Sequence, residues 1–256
     1  MTIHKSAEID SSVIMGKNVS IGSFSIVGSN AIIGDNTEIG PHVLIHPQTI
    51  IGGDCKIHHG ASIGGEPQMV NFEDIPSSVE IGAGTVIREF VTIHRGAKES
   101  QTTRIGKHCM LMNYVHIAHD CEIGDHVVIV NYTGLSGHVV VEDRAFVSGQ
   151  VGVHQFVRIG KNAMVGGKTA ITKDILPYSL VEGVPARLIS INAIGLRRNH
   201  IQPKVRTALK NAFKILQDPA NNTTQAIEKM ETEIEKQDEI RYLIHFIKLS
   251  SRGITK

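Results

Sequence analysis

The feature that most constrains this chain is an aliphatic residue at every sixth position over its first two thirds. From Ile3 to Ile171, 28 of the 29 positions in this register are Ile, Val, Leu or Met, and only Glu99 breaks it. A period of six fits neither an α-helix nor a simple β-strand. It is typical of a parallel β-helix built from hexapeptides, in which three short strands make one coil of about 18 residues around a continuous aliphatic core.

The chain is predicted to contain two domains, a β-helix over residues 1–190 and a helical domain over residues 191–256. Two stretches near residues 65–79 and 96–103 are polar or proline-containing, and we expect both to leave the prism as external loops. In the second domain, an apolar stripe and proline breaks predict successive helices. The expected helices are at about Pro203–Gln217, Thr224–Lys236 and Asp238–Ser250.

Composition argues against several functional classes. The net charge is +1, so nothing in the overall charge indicates a nucleic-acid partner. We find no signal peptide and no apolar run of membrane-spanning length, and we expect no integral membrane segment. The three cysteines, Cys55, Cys109 and Cys121, suggest a reducing compartment, so a cytoplasmic location is predicted.

The placement of the 14 histidines predicts a polar site along one edge of the prism. With 18 residues per coil, Gly137 stacks above His119, and Gln155 stacks above Gly137. His116 lies on the same coil as His119, and His94 lies about one coil below. The residues expected at this edge are His94, His116, His119, Gly137, His138, His154 and Gln155.

This edge contains the groups that acyl transfer needs. Asp120 is next to His119, and an imidazole oriented by a neighbour is a good general base near neutral pH. The N–H of Gly137 can stabilise a developing oxyanion. We find no Ser or Cys nucleophile paired with a base, so direct transfer without a covalent enzyme intermediate is the simpler chemistry. No cofactor and no metal ion is expected.

The residues around these positions resemble the signature of UDP-N-acetylglucosamine acyltransferases, which perform the first step of lipid A biosynthesis. The resemblance covers essentially the whole chain and implies the left-handed form of the β-helix, followed by a C-terminal α-helical domain. It also implies a homotrimer with sites between neighbouring prisms, in the cytoplasm of a Gram-negative-type bacterium. The matching segments are His116–Cys121, Val91–Gly96, Gly137–Val139, Val153–Phe156, Met164–Gly167 and Gly195–Arg198.

The resemblance implies transfer of an R-3-hydroxyacyl chain from acyl carrier protein to the 3-hydroxyl of UDP-N-acetylglucosamine. His119 would then be the general base, Asp120 would orient it, and the Gly137 N–H would hold the thioester oxyanion. The substrate-binding residues that the resemblance implies are Gln68, His94, His116, His138, His154, Gln155, Asn192 and Arg198.

Two further roles follow from the resemblance. Gly167 matches the position that limits acyl length, and a glycine there leaves room for a long chain such as 3-hydroxymyristoyl. The basic residues at the start of the helical domain gain a partner, because acyl carrier protein is strongly acidic; a merely solvated basic face is the alternative. The docking residues implied are Arg197, Lys204, Arg206 and Lys210.

Some residues depart from the family pattern and keep other functions open. Met69 and Asn71 stand where relatives usually have Asp and Lys, which favours an N-acyltransferase acting on an amino-sugar nucleotide. An acyl-CoA-dependent hexapeptide acyltransferase is a related alternative. A zinc enzyme of the γ carbonic anhydrase type would use three histidines on a similar prism, and a non-catalytic β-helix is the remaining possibility.

Overall fold

The computed structural model describes residues 2–235 and 237–256. Its strands form the predicted left-handed parallel β-helix, with three sheets along the faces of a triangular prism and helices at the C-terminal end. Up to β27, consecutive strands lie in different sheets, so each strand pairs with its counterpart in the next coil.

The three sheets have the following strands. Sheet A contains β1 (Thr2–Ile3), β4 (Ser20–Ile21), β7 (Glu38–Ile39), β10 (Lys56–Ile57), β13 (Val86–Ile87), β16 (Met110–Leu111), β19 (Val128–Ile129), β22 (Phe146–Val147), β25 (Met164–Val165), β27 (Ser179–Glu182) and β28 (Arg187–Ile191). Sheet B contains β2 (Glu8–Ile9), β5 (Ile26–Val27), β8 (Leu44–Ile45), β11 (Ser62–Gly65), β14 (Thr92–His94), β17 (His116–Ile117), β20 (Gly134–Leu135), β23 (Gly152–Val153) and β26 (Ala170–Ile171). Sheet C contains β3 (Ile14–Met15), β6 (Ile32–Ile33), β9 (Thr49–Ile51), β12 (Ser78–Ile81), β15 (Thr102–Ile105), β18 (Glu122–Ile123), β21 (Val140–Val141) and β24 (Arg158–Ile159).

The aliphatic register forms the core as the period predicts. Ile33, Ile63 and Ile117 are at most 1% exposed, and each stacks on an aliphatic residue of the next coil. The first coil is the exception, because no coil lies beneath it within the chain, and Ile3 is 38% exposed. Burial of these side chains contributes roughly 25 cal/mol per Å² of apolar surface.

The two loops preserve the register because the number of residues that each adds to its coil is a multiple of six. Regular coils pair residues 18 apart, as His116 does with Gly134. Across the first loop Lys56 pairs with Val86, so this coil is longer by twelve residues. Across the second, Glu80 pairs with Arg104, which adds six. The aliphatic pattern therefore continues through the loops by count alone.

The loops are shorter than the sequence suggested, because strand pairing extends into their ends. Ser78–Ile81 and Thr102–Ile105 pair with each other in sheet C, so the chain outside the strands spans residues 66–77 and 95–101. Met69 has the right spacing for the core but lies in the first loop, where it is 46% exposed.

The C-terminal region contains four helices among the described residues. They are α1 (Ala193–Arg198), α2 (Pro203–Gln217), α3 (Thr223–Glu233) and α4 (Asp238–Lys248). Helix α1 was not expected, and Lys236, the expected end of the second predicted helix, lies outside the described residues. Strand β28 turns back antiparallel to β27 before α1 and contacts α2. No described helix is long and apolar enough to cross a membrane.

Candidate active site

The predicted histidine site lies at the corner between sheets B and C, which we call the histidine corner (residues 118–121, 136–139 and 154–157). In each coil the chain turns this corner through one residue with a left-handed backbone. The φ angles are 58° at Asp120, 60° at His138 and 64° at Phe156. Because the turn repeats every 18 residues, these side chains form a row along the prism.

His119 and Asp120 form a close pair at this corner. The Nδ1 atom of His119 lies 2.8 Å from Oδ2 of Asp120, and the two side chains are 14% and 7% exposed. An ionised carboxylate only accepts hydrogen bonds, so the Nδ1–H of His119 donates to Asp120. The Nε2 atom then keeps a lone pair that can accept a proton.

The backbone around the second loop fixes Asp120. The N–H of Ala97 donates to both carboxylate oxygens, at 3.3 and 3.2 Å. The N–H of Asp120 itself donates to the hydroxyl of Thr103 at 2.8 Å. These bonds leave the carboxylate little freedom to turn away from the imidazole.

Gly137 lies directly against the ring of His119. A Cβ atom at Gly137 would come within 2.5 Å of Cε1 of His119 and 2.7 Å of its Nε2, so any side chain there would displace the imidazole. Among the described residues, the N–H of Gly137 has no hydrogen-bond acceptor. This amide is therefore free to donate to a ligand beside His119.

His138 completes the row above the pair. Its ring meets that of His119 edge-on at 5.2 Å and stacks on Phe156 at 4.6 Å. Its Nε2 atom lies 3.7 Å from the Asp120 carboxylate. Desolvation lowers the pKa of His138, and the charge of Asp120 opposes this shift.

His94 and His116 lie on the outer side of sheet B, with ring centroids 5.1 Å apart. His94 Nδ1 bonds to the carbonyl of Glu66 in the first loop, and His116 Nδ1 bonds to the hydroxyl of Thr92 at 2.9 Å. Burial lowers the pKa of both imidazoles. Both rings are therefore neutral hydrogen-bonding groups near pH 7.

A cleft of about 1000 Å³ runs along this corner and the outer face of sheet B. Its floor has unusually small residues in successive coils, because Gly134 pairs with Gly152 and Gly152 with Ala170. The predicted site residues that line it are Gln68, His116, His119, Gly137, His138, His154 and Gln155. His94 lies beside it, against His116.

Other predicted residues lie away from this cleft within the single chain. Gly167 is at the corner between sheets A and B, and a Cβ there would approach no atom closer than 3.5 Å. Asn192 caps helix α1 by accepting from the N–H of Gly195 and donates to the carbonyl of Asn162. Arg198 is exposed at the end of α1.

The predicted docking residues differ in their surroundings. Arg197 and Lys210 are exposed. Lys204 is engaged with Glu235 at 2.7 Å. Arg206 is half-buried, and its buried Nε has no hydrogen-bond partner among the described residues.

The same corner also has the geometry for a metal ion. His119, Asp120 and His138 each offer one ligand atom, and these atoms lie within 4.8 Å of one another. This is a mixed set of two imidazoles and a carboxylate, which suits zinc or another divalent transition metal.

Sequence reasoning missed three contributors to the site. The N–H of Ala97 holds Asp120, but a backbone amide has no sequence signature. Phe156 stacks on His138, and its position 18 residues further along could have shown this. Arg95 secures the first loop, and its place directly after His94 in the segment Val91–Gly96 could have indicated a role beside the site.

Two family models match the chain. The model described as UDP-N-acetylglucosamine O-acyltransferase, domain 2, matches residues 174–255. The bacterial transferase hexapeptide model matches residues 12–47 and 102–137. The two models therefore match different regions, the helical end and parts of the prism.

Curated relatives and solved structures agree with these matches. The acyl-(acyl-carrier-protein)–UDP-N-acetylglucosamine O-acyltransferase of Aquifex aeolicus is 52% identical over 191 residues, which are 74% of this chain and 73% of the relative. That of Syntrophobacter fumaroxidans is 42% identical over 192 residues, 74% of each chain. A UDP-N-acetylglucosamine acyltransferase structure from Bacteroides fragilis is 36% identical, with a TM-score of 0.97 over 99% of both chains. The chain belongs to the UDP-N-acetylglucosamine O-acyltransferase family.

Proposed function

We propose that this protein transfers an R-3-hydroxyacyl chain from acyl carrier protein to the 3-hydroxyl of UDP-N-acetylglucosamine, the first step of lipid A biosynthesis. The observation that carries this proposal is the pair formed by His119 and Asp120, with the free N–H of Gly137 against the same imidazole. The substrates are those printed in the names of the relatives.

In the proposed step, Nε2 of His119 takes the proton of the acceptor hydroxyl. The oxygen attacks the thioester carbonyl carbon, and the Gly137 N–H donates to the resulting oxyanion. The C–S bond then breaks, and the imidazolium returns its proton to the departing thiolate of the carrier. Asp120 stabilises the charged imidazole throughout. The cleft residues Gln68, His116, His138, His154 and Gln155, with His94 beside them, contact the sugar and the donor arm.

The floor of the cleft suits an acyl chain. Gly134 and Gly152 expose backbone without side chains, and a Cβ at either position would meet nothing within 4 Å. The row ends at Ala170, three coils above His116, which is about 14 Å at the spacing of sheet strands. Gly167 lies on the same coil as Ala170 and limits the length of the chain in this proposal.

We infer a homotrimer, because the exterior of sheet A is apolar over successive coils. Val86, Met110, Val128, Phe146 and Met164 pair in turn along its outer side. A continuous apolar strip on a protein surface favours a partner surface. A neighbouring prism would bring Asn192 and Arg198 of another subunit to the nucleotide end of the cleft.

Carrier docking is proposed for the basic residues of the helical region. Arg197 and Lys210 are exposed and available for an acidic partner, whereas Lys204 is already engaged with Glu235. Such contacts raise the association rate and weaken as salt increases. The proposed compartment is the cytoplasm, where its three buried cysteines stay reduced.

A second candidate is a metal-dependent reaction of the carbonic anhydrase type. It is favoured by the ligand cluster of His119, Asp120 and His138. The membership of the chain in an acyltransferase family argues for the first proposal. Two measurements separate the candidates. Zinc titration followed by calorimetry shows whether the cluster binds the ion, and an activity assay in excess chelator shows whether the reaction needs it. The acyl-transfer proposal requires full activity in the chelator.

The test of the proposed function is an acyl-transfer assay read by mass spectrometry. The purified protein receives hydroxydecanoyl, hydroxydodecanoyl, hydroxytetradecanoyl or hydroxyhexadecanoyl carrier protein, with UDP-N-acetylglucosamine or its 3-amino analogue. An ester of the plain sugar supports the proposal. An amide alone would move the function to the amino-sugar variant and implicate Met69 and Asn71. No product from any pair would overturn carrier-dependent transfer.

A further inference from the structure

The first loop, residues 66–77, forms one wall of the cleft but has few bonds of its own. Gln68, Met69 and Val70 line the cleft. Val70 is 91% exposed, and within the apex the N–H of Met69 donates to the carbonyl of Pro67. The position of this wall therefore depends on what holds the two legs of the loop.

Both legs are held by residues 94–96 at the end of strand β14, and the second leg also accepts a hydrogen bond from the N–H of Ser100 at the carbonyl of Pro76. At the first leg, His94 bonds to the carbonyl of Glu66, and the N–H of Arg95 donates to the carbonyl of Gly65 at 3.0 Å. At the second leg, the hydroxyl of Ser77 donates to the carbonyl of Gly96 at 2.6 Å. The loop is thus fastened at its base to residues 94–96.

The side chain of Arg95 makes most of the contacts with the second leg. Its guanidinium donates to the carboxylate of Asp74 and the carbonyl of Ile75, and to the hydroxyl of Ser77 at 3.1 Å. It also lies 5.3 Å from the ring centroid of Phe72. The Arg95 side chain is only 12% exposed, so its contacts with Ile75 and Ser77 are shielded from water, whereas the Asp74 carboxylate remains open to solvent.

Arg95 itself does not line the cleft. Arg95 and Asp74 line a separate cavity of about 330 Å³, whose lining does not include Gln68, Met69 or Val70. A guanidinium there acts on the cleft only through the loop that it holds. The planar fork of Arg suits this arrangement, because it can bind a carboxylate and a carbonyl together.

We propose that Arg95 is a positioning residue that sets the loop Gln68–Asn71 over the cleft and thereby fixes the affinity for the sugar-nucleotide acceptor. This inference rests on the proposed function, because the acceptor is UDP-N-acetylglucosamine. Asp74 is the partner that orients the guanidinium. The general base does not depend on the Arg95 side chain. The N–H of Gly96 donates to the carbonyl of Ser78, and this bond keeps the neighbouring Ala97, which holds Asp120, in place.

The first arm of the test measures the loop without using activity. A protease specific for aromatic residues is applied briefly to the parent and to Arg95→Ala, and cleavage sites are identified by mass spectrometry. Cleavage after Phe72 should accelerate about tenfold, because Phe72 loses the guanidinium that covers it. Cleavage after Phe24, which is 61% exposed, is the internal reference and should not change. An unchanged rate at Phe72 would overturn the proposal.

The second arm measures steady-state kinetics in Arg95→Ala, Arg95→Lys and Asp74→Asn. Arg95→Ala should raise KM for UDP-N-acetylglucosamine on the order of tenfold, since bonds to a charged group are lost. We expect kcat to stay within about twofold, with an unchanged KM for the carrier and an unchanged pH profile. Arg95→Lys should restore part of the affinity, because it keeps the charge opposite Asp74 but not the planar fork.

Two further variants show whether a changed KM in Arg95→Ala comes from the lost contacts or from misfolding. Asp74 is 79% exposed, so Asp74→Asn should fold normally and still raise the acceptor KM, by about threefold. Arg104→Ala is the matched control, because Arg104 pairs with Glu80 at 3.2 Å on the exposed face of sheet C. A fall in kcat with unchanged KM in Arg95→Ala, or behaviour equal to Arg104→Ala, would overturn the proposal. A parent that makes no product would instead overturn the proposed function, and the protease arm would still decide whether Arg95 holds the loop.

Discussion

Two corners of the prism border sheet B, and they have the same backbone but different chemistry. The histidine corner turns through Asp120 and His138 at φ angles of 58° and 60°. The other corner, which we call the aromatic corner (residues 112–115, 130–133, 148–151 and 166–169), turns through Tyr114 and Tyr132 at 59° and 61°. A repeating turn therefore provides a frame, and the residues placed on it decide what the corner does.

The two corners differ in the contacts that their neighbouring side chains make. At the aromatic corner, Tyr114 and Tyr132 stack at 5.0 Å with nearly parallel rings. At the histidine corner, a carboxylate and an imidazole share a hydrogen bond beside a glycine amide. In the last coil of the aromatic corner the turn residue is Lys168, and Gly167 precedes it without a side chain. In the proposed function, the histidine corner performs the chemistry and Gly167, at the other corner, limits the acyl chain.

The largest expected effect comes from removing the imidazole of the histidine corner. His119→Ala should lower kcat by about 10² to 10⁴, the usual contribution of a general base. The matched control is His42→Ala, because His42 is an exposed histidine on the same edge of the prism as the aromatic corner, in an earlier coil, with a similar φ of 54°. Steady-state rates should separate the two variants clearly. Comparable activity in both would remove His119 as the base.

The next effect tests the close approach of Gly137. Gly137→Ala should lower kcat by about 10², because the new methyl group would push the His119 ring out of place. Gly134→Ala is the comparison, since a Cβ there meets no protein atom within 4 Å; because Gly134 lies on the proposed acyl floor, this variant should change the KM of the donor and leave kcat close to that of the parent. Both variants should fold, as circular dichroism would show. Equal rates in the two would mean that the approach of Gly137 to the imidazole is unimportant.

A smaller and different effect is expected at the aromatic corner. Gly167→Met should shorten the preferred acyl chain, with about tenfold discrimination against the longest donor, since a side chain there occupies space that the chain would use. The rate with the shortest donor should stay within about threefold. Product masses from each donor provide the measurement. A chain preference equal to that of the parent would exclude Gly167 as the length limit.

The smallest expected effect is a dependence of Tm on pH. Burial lowers the pKa of His94, His116 and His138 below the ordinary value of 6.5, so the unfolded chain binds more protons than the folded chain just below pH 6.5. Stability is therefore complete above this value and decreases as pH falls through it. We expect Tm to drop by about 2 °C between pH 7 and pH 5.5 from these groups.

The matched comparison for this prediction is His116→Asn against His42→Ala. The first removes a half-buried imidazole with a lowered pKa and should flatten the dependence of Tm on pH. The second removes an exposed imidazole and should leave it unchanged. A steeper dependence in His116→Asn would contradict the assigned direction of the pKa shift.

The prism could be predicted from the sequence because every coil repeats the same constraint. The stacking of His119, Gly137 and Gln155 followed directly from the 18-residue coil. The same regularity is a poor guide at the loops. Insertions of twelve and six residues keep the six-residue period unbroken, so Met69 has core spacing although it lies outside the core.

Other parts of the structure have no periodic signal. Ala97 acts through its backbone N–H, which any residue but proline would offer. Helix α1 has only six residues, too few for a clear amphipathic pattern. Asn192 was expected at the nucleotide, and in the chain its side chain also caps this short helix. These features depend on tertiary contacts that spacing does not encode.

One competition assay tests most directly whether His119 sets the rate and Gly167 sets the acyl length. The parent, His119→Ala and Gly167→Met each receive an equal mixture of the four hydroxyacyl carriers with UDP-N-acetylglucosamine, and product masses are followed over time. We expect His119→Ala to slow every product equally and to keep the distribution of the parent, whereas Gly167→Met should shift the distribution towards short chains with little loss of rate on them. A changed distribution in His119→Ala, or a uniform slowing in Gly167→Met, would contradict it.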